Sequence, residues 1–104
     1  MIRNAFCMQL KAGNEAEYKR RHDAIWPELS AALTEAGVSD YSIFLDESSG
    51  VLFAFQKLSD DNTADTLPDQ AIVKKWWAYM ADLMETHPDN APVCKPLCEV
   101  FHMD

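Results

Sequence analysis

"DYSIFLDESSGVLFAFQKL", residues 40–58, decides how the rest of the chain is read. Tyr41, Ile43 and Leu45 share one face of its first half, with Ser42 and Phe44 on the other. Asp46 to Gly50 is turn sequence. Val51 to Lys57 is rich in β-formers and apolar on both faces, the pattern of an interior strand. The stretch predicts a hairpin whose second arm lies inside a sheet.

Upstream, residues 2–10 alternate. Ile2, Phe6, Met8 and Leu10 point one way, and Arg3, Ala5, Cys7 and Gln9 the other, so a first strand is expected. Gly13-Asn14 ends it, and Asn14 with Glu17 makes a box-like helix start. The following helical face collects Tyr18, His22, Ile25, Trp26, Leu29, Leu33 and Ala36. Pro27 has no N–H to give to the carbonyl one turn back. Two helical pieces are therefore predicted, 14–24 and 27–36, with Pro27 opening the second and Gly37 closing it.

Downstream, residues 59–70 are polar and suit a loop with a short helical piece. Residues 71–84 return to helical period: Ile72, Trp76, Met80 and Leu83 form one line, and Val73, Trp77 and Met84 the next. "THPDNAPVCKP", 86–96, is loop, and residues 97–103 read as a last strand. The order β-α-β-β-α-β predicts one α+β domain over residues 1–104. Its architecture is ferredoxin-like, an antiparallel sheet with helices on one face. The other face needs a cover. A second copy of the chain would supply it, so a homodimer forming a dimeric α/β barrel is expected.

The chain carries 9 Lys+Arg against 17 Asp+Glu, a net charge of -8. That field repels phosphate backbones and anionic lipid, so neither nucleic acid nor a membrane is an expected partner. No stretch approaches the ~20 apolar residues of a membrane span, and the N-terminus lacks a signal-peptide core. Cys7, Cys94 and Cys98 are an odd, small set, which suggests reduced thiols and a cytoplasmic protein.

His22 is the natural proton shuttle near neutral pH. Position alone makes it a half-buried interior histidine. Tyr18 one turn before it, Trp26 one turn after, and a helix break beside it point to a site. Arg20 and Arg21 would oppose its protonation and a nearby carboxylate would favour it. Trp76 and Trp77 diverge by about 100° on their helix, so one of them should sit at an edge or line a cavity. Together with Tyr18 and Tyr41 they would make an uncharged, hydroxyl-reading pocket suited to a neutral sugar. Core packing is the competing account of the tryptophans. Cys94, Cys98 and His102 lack a fourth metal ligand, and His87 reads as solvated. No Gly-rich phosphate loop, Gly-x-Ser-x-Gly elbow or Cys-x-x-Cys is present. No metal and no cofactor are expected.

"RRHDAIWPEL" (20–29), "KWWAYM" (75–80), "PDNAP" (88–92) and "EVFHMD" (99–104) resemble the L-rhamnose mutarotase family over nearly the whole chain. The resemblance implies a ferredoxin-like fold dimerising as an α/β barrel, and interconversion of the α and β anomers of L-rhamnose. It implies His22 as proton donor, with Tyr18, Tyr41, Trp76 and Trp77 contacting the sugar. The complementary base is left open between a tyrosine, a carboxylate and water. A small dimeric-barrel monooxygenase and a non-catalytic sugar-binding module are the alternatives.

Overall fold

The computed structural model describes all residues, Met1 to Asp104. In chain order the elements are β1 (Ile2–Gln9), α1 (Glu15–Asp23), α2 (Pro27–Glu35), β2 (Val38–Asp46), β3 (Val51–Leu58), α3 (Ala71–Met80) and β4 (Lys95–Pro96). The sheet order is β2-β3-β1-β4 and every pairing is antiparallel. This is the ferredoxin-like arrangement, with the first helical segment split in two as Pro27 requires.

The hairpin is held at its turn by the Asp46 carboxylate, which accepts from the Ser48 amide and hydroxyl and from the Ser49 hydroxyl. At its far end Gly37 joins α2 to β2 with φ +92°. A Cβ there would run into Ser59 Oγ and the Asn62 backbone, so glycine is required. A bulge follows. Ser39 pairs with Lys57 and Ser42 with Phe55, leaving Asp40 and Tyr41 together opposite Gln56. Asp40 takes up the extra residue at φ +47°. The bulge resets the alternation, so that Val38 before it and Tyr41, Ile43 and Leu45 after it share the face under the helices.

That inner face holds the core. Met8, Leu52 and Ala54 pack with Tyr18, Leu29, Val73, Trp76 and Met80 from the helices. The opposite face carries Ala5, Cys7, Phe44, Phe53 and Phe55. No helix covers it, and Phe44 is 69% exposed. No helix is long and apolar enough to cross a membrane.

The structure corrects three expectations. The last strand is Lys95–Pro96, paired with Phe6 and Cys7, and residues 97–103 are not a strand. The Leu97 amide still bonds the Ala5 carbonyl at 3.0 Å, after which the chain leaves the sheet edge. Val100 and Phe101 are 94% and 77% exposed, so the alternating pattern has no surface of its own chain to bury against. The Asn14–Glu17 box does not form. Asn14 donates instead to the Lys11 and Ala12 carbonyls, and Glu17 is drawn into charge-assisted bonds with Arg20 and Arg21. The helix from residue 71 ends at Met80 and tightens into a 3-10 turn, Ala81–Leu83. Bonds from the Lys11 amide to the Leu83 carbonyl, and from the Glu85 amide to the Gln9 carbonyl, tie the chain to the end of β1 there.

Candidate active site

His22 sits in the last turn of α1. Pro27 biases Trp26 to an extended conformation (ψ 131°), and α1 ends just before it. The Ala24 and Ile25 amides close the helix on the Arg20 and His22 carbonyls at 3.2 and 3.1 Å. His22 is therefore at a helix end beside a break, one turn from Tyr18, with the two rings 4.3 Å apart.

His22 Nδ1 lies 3.1 Å from the Tyr18 carbonyl oxygen. A carbonyl can only accept, which assigns the hydrogen to Nδ1. In the neutral ring Nε2 then carries the lone pair. Burial lowers the His22 pKa below its ordinary value, and the Tyr18 carbonyl and Asp23 only partly oppose this. The neighbouring arginines are engaged away from His22. Arg20 pairs with Glu17, and Arg21 with Glu17 and Asp82. His22 is thus a neutral imidazole near pH 7.

An aromatic cluster fixes its surroundings. Trp76 meets His22 edge-on at 5.4 Å and meets Trp26 edge-on at 5.0 Å. Trp26 stacks on Tyr79 at 5.4 Å. The Arg21 guanidinium covers the far side of the cluster, 4.4 Å from the Tyr79 ring centre, and donates to the Tyr79 carbonyl at 2.6 Å. This clamp joins α1 to the end of α3 across the break.

Between the inner sheet face and the helices lies an open cavity of about 1170 Å³. Typical small-molecule sites hold roughly 300–1,000 Å³, so a monosaccharide has ample room. Tyr18, His22, Tyr41, Trp76 and Trp77 all line it. The tryptophans divide as their 100° divergence requires: Trp76 is buried and Trp77 half-buried, yet both reach the cavity. Burial pushes both tyrosine hydroxyls up, Tyr41 to about 12 and Tyr18 further, and the Cys94 thiol adds to both shifts. Both phenols therefore stay protonated and act as donors. Of the charged lining residues, Lys19, Asp23, Asp40 and Glu47 are exposed, which places them at the mouth, and Glu15 is half-buried. Aromatic faces, hydroxyls and a neutral imidazole suit an uncharged polyol.

A family model described as L-rhamnose mutarotase matches residues 3–103. The chain is 59% identical to an L-rhamnose mutarotase of Bacteroides thetaiotaomicron over the full length of both. It is 56% identical to one of Flavobacterium johnsoniae, over 99% of this chain and 96% of that one. The crystal structure of an L-rhamnose mutarotase from Formosa agariphila superposes with a TM-score of 0.93 at 53% identity, covering all of both chains. The chain belongs to the L-rhamnose mutarotase family.

Sequence reasoning gave no site role to three residues here, Gln56 and Cys94 on the cavity wall and Tyr79 behind it. Tyr79 lies three positions after Trp76 on the same helix face, a spacing visible in the sequence, and packs on both Trp26 and Trp76. Gln56 continues the inward alternation from Leu52 and Ala54, and it lines the cavity. Cys94 arrives on a loop with no periodic signal. Cys94, Cys98 and His102 do not converge as a metal site.

Proposed function

We propose that the protein is an isomerase that interconverts the α and β anomers of L-rhamnopyranose at this cavity, with His22 moving the proton. The carrying observation is the state of His22: Nδ1 is engaged by the Tyr18 carbonyl, and no protein group holds Nε2. Ring opening requires the anomeric hydroxyl to lose a proton and the ring oxygen to gain one. Neutral Nε2 takes the proton from the hydroxyl. The C1–O5 bond breaks as C1=O forms, and the imidazolium gives its proton to the ring oxygen. The aldehyde rotates about its bond to C2, and the same steps in reverse close the other anomer. Because both oxygens are bonded to C1, a single nitrogen can serve both. Burial keeps Tyr18 and Tyr41 as phenols, so they serve as hydrogen-bond donors to sugar oxygens and neither is the base. The indole faces of Trp76 and Trp77 take the C–H surface of the sugar.

The test is exchange between rhamnose anomers followed by NMR. His22→Ala should slow catalysed exchange about 10²–10⁴-fold, the usual contribution of one acid–base group, with the thermal unfolding transition retained. Wild-type exchange in a folded His22→Ala protein would overturn the assignment. Sugar binding without accelerated exchange in the wild type would instead mark a binding module.

The same reading includes a homodimer. Phe44 lies directly across from Phe53 on the uncovered sheet face, and the two are 69% and 43% exposed. A second copy packing its own outer face there removes both from water and forms the α/β barrel. Three free cysteines suit a reducing, cytoplasmic setting.

A further inference from the structure

The inner sheet face is apolar along the cavity, with Met8, Ile43, Leu45 and Leu52 toward it. Gln56 interrupts this. At 8% exposure it is the single polar residue among the buried positions, and it lines the cavity. Asn4 is its direct partner on β1, and the Asp40–Tyr41 bulge stands opposite it on β2. Tyr41, Gln56 and Asn4 therefore form a polar row across three strands on the cavity side.

Asn4 Nδ2 donates to Gln56 Oε1 at 3.1 Å, which occupies the acceptor and orients the amide. Gln56 Nε2 has no acceptor in the protein. No side-chain nitrogen or oxygen is sealed from solvent without a partner, so Nε2 retains open surface. For a residue this deep, on the cavity wall, that surface is the cavity. Once a ligand displaces water from that surface, an amide donor left without an acceptor is costly, and leucine would fill the same position at no such cost. The core does not need this donor.

We propose that Gln56 is a specificity residue of the sugar site, donating from Nε2 to an oxygen of the bound pyranose beside Tyr41. This rests on the cavity being the site of anomer exchange. A site built to hydrogen-bond one hydroxyl rejects the sugar that lacks it, because the amide is then left unpaired.

The experiment measures catalysed exchange by saturation-transfer NMR for L-rhamnose and its 2-, 3- and 4-monodeoxy analogues, in wild type, Gln56→Met and Gln56→Leu. Gln56→Met should raise KM for L-rhamnose about tenfold, with kcat changed less than about threefold. If the oxygen is a hydroxyl, one deoxy analogue should lose about tenfold in kcat/KM with wild type and nothing further with Gln56→Met. If it is the ring oxygen, the KM rise should appear with no analogue singled out. An unchanged KM in folded Gln56→Met, or a fall in kcat alone, would overturn the proposal. Gln56→Met keeps the chain length of glutamine if Gln56→Leu does not fold. Failure of the wild type to accelerate exchange would break the mutarotase reading, whereas normal wild-type exchange with unaltered Gln56 variants would break only this inference.

Discussion

Leu52 and Phe53 are consecutive residues of one strand, yet Leu52 is 1% exposed and Phe53 43%. The difference lies in what covers each face of the sheet. Under the helices, Leu52 joins Met8, Trp76 and Met80 in the core. On the other side Phe53 meets Phe44 and Cys7 across the ladder and has no layer above it. Equal hydrophobicity along a strand therefore carries two different commitments. The inner face is satisfied within the chain and shaped to leave a cavity. The outer face is left uncovered by its own chain, and the proposed dimer is what would cover it. Stability and chemistry should follow the inner face, and assembly the outer.

Leu52→Ala should show the largest stability effect, about 2–5 kcal/mol in denaturant unfolding, because a fully enclosed side chain leaves a cavity behind. That cost should persist at every protein concentration. With the outer face as the proposed interface, Phe53→Ala should act mainly through the dimer, so most of its cost should fade as the protein is diluted. A concentration-independent loss for Phe53→Ala as large as that for Leu52→Ala would erase the distinction between the faces.

Assembly sharpens the same contrast. Phe53→Asp places a charge where two apolar sheets would meet, and sedimentation velocity should then find monomer at concentrations where wild type is dimeric. The inner face is untouched by this change, so the monomer should keep a cooperative unfolding transition. A Phe53→Asp protein that sediments as wild type does would remove the outer face as the interface.

Much of the inner face was legible because it is periodic. The alternation of Tyr41, Ile43 and Leu45, and the helical spacing of Tyr18 with His22 and of Trp76 with Met80, are local patterns, and the structure keeps them. The outer margin was less legible because alternation alone does not make a strand where the chain leaves the sheet edge. Residues 97–103 alternate well enough to look like a strand, yet only Lys95 and Pro96 pair with β1. The bulge at Asp40 was invisible for a related reason: register belongs to two strands together. At the site, sequence placed five residues in one pocket but left open whether cations or a carboxylate would govern His22, and it did not weigh burial. That balance depends on where Arg20 and Arg21 point, and their carboxylate partners Glu17 and Asp82 draw both away.

Titration distinguishes the half-buried site from the exposed surface, with the smallest effect of the set. His22 has a folded-state pKa below its ordinary 6.5 because of burial, so below that pH the unfolded chain binds more protons than the folded one. Stability from this group is full above 6.5, falls as the pH drops through that value, and levels off below the folded pKa. Glu17 behaves differently: its bonds to Arg20 and Arg21 hold it at about 2 against an ordinary 4.5, so its contribution is lost only as pH falls from 4.5 toward 2. Glu17 keeps about a third of its side chain in water, so solvent screens these bonds and they stabilise little. Thermal melts across pH should therefore show a shallow first decline starting near 6.5 that His22→Ala abolishes, and a second below 4.5 that it leaves in place. Catalysed exchange should lose its acid limb with an apparent pKa below 6.5, since neutral Nε2 is the form that accepts the anomeric proton. An acid limb above 6.5 would mean that a carboxylate, and not burial, governs His22, and the inner face would lose its distinction as the place where desolvation sets the chemistry.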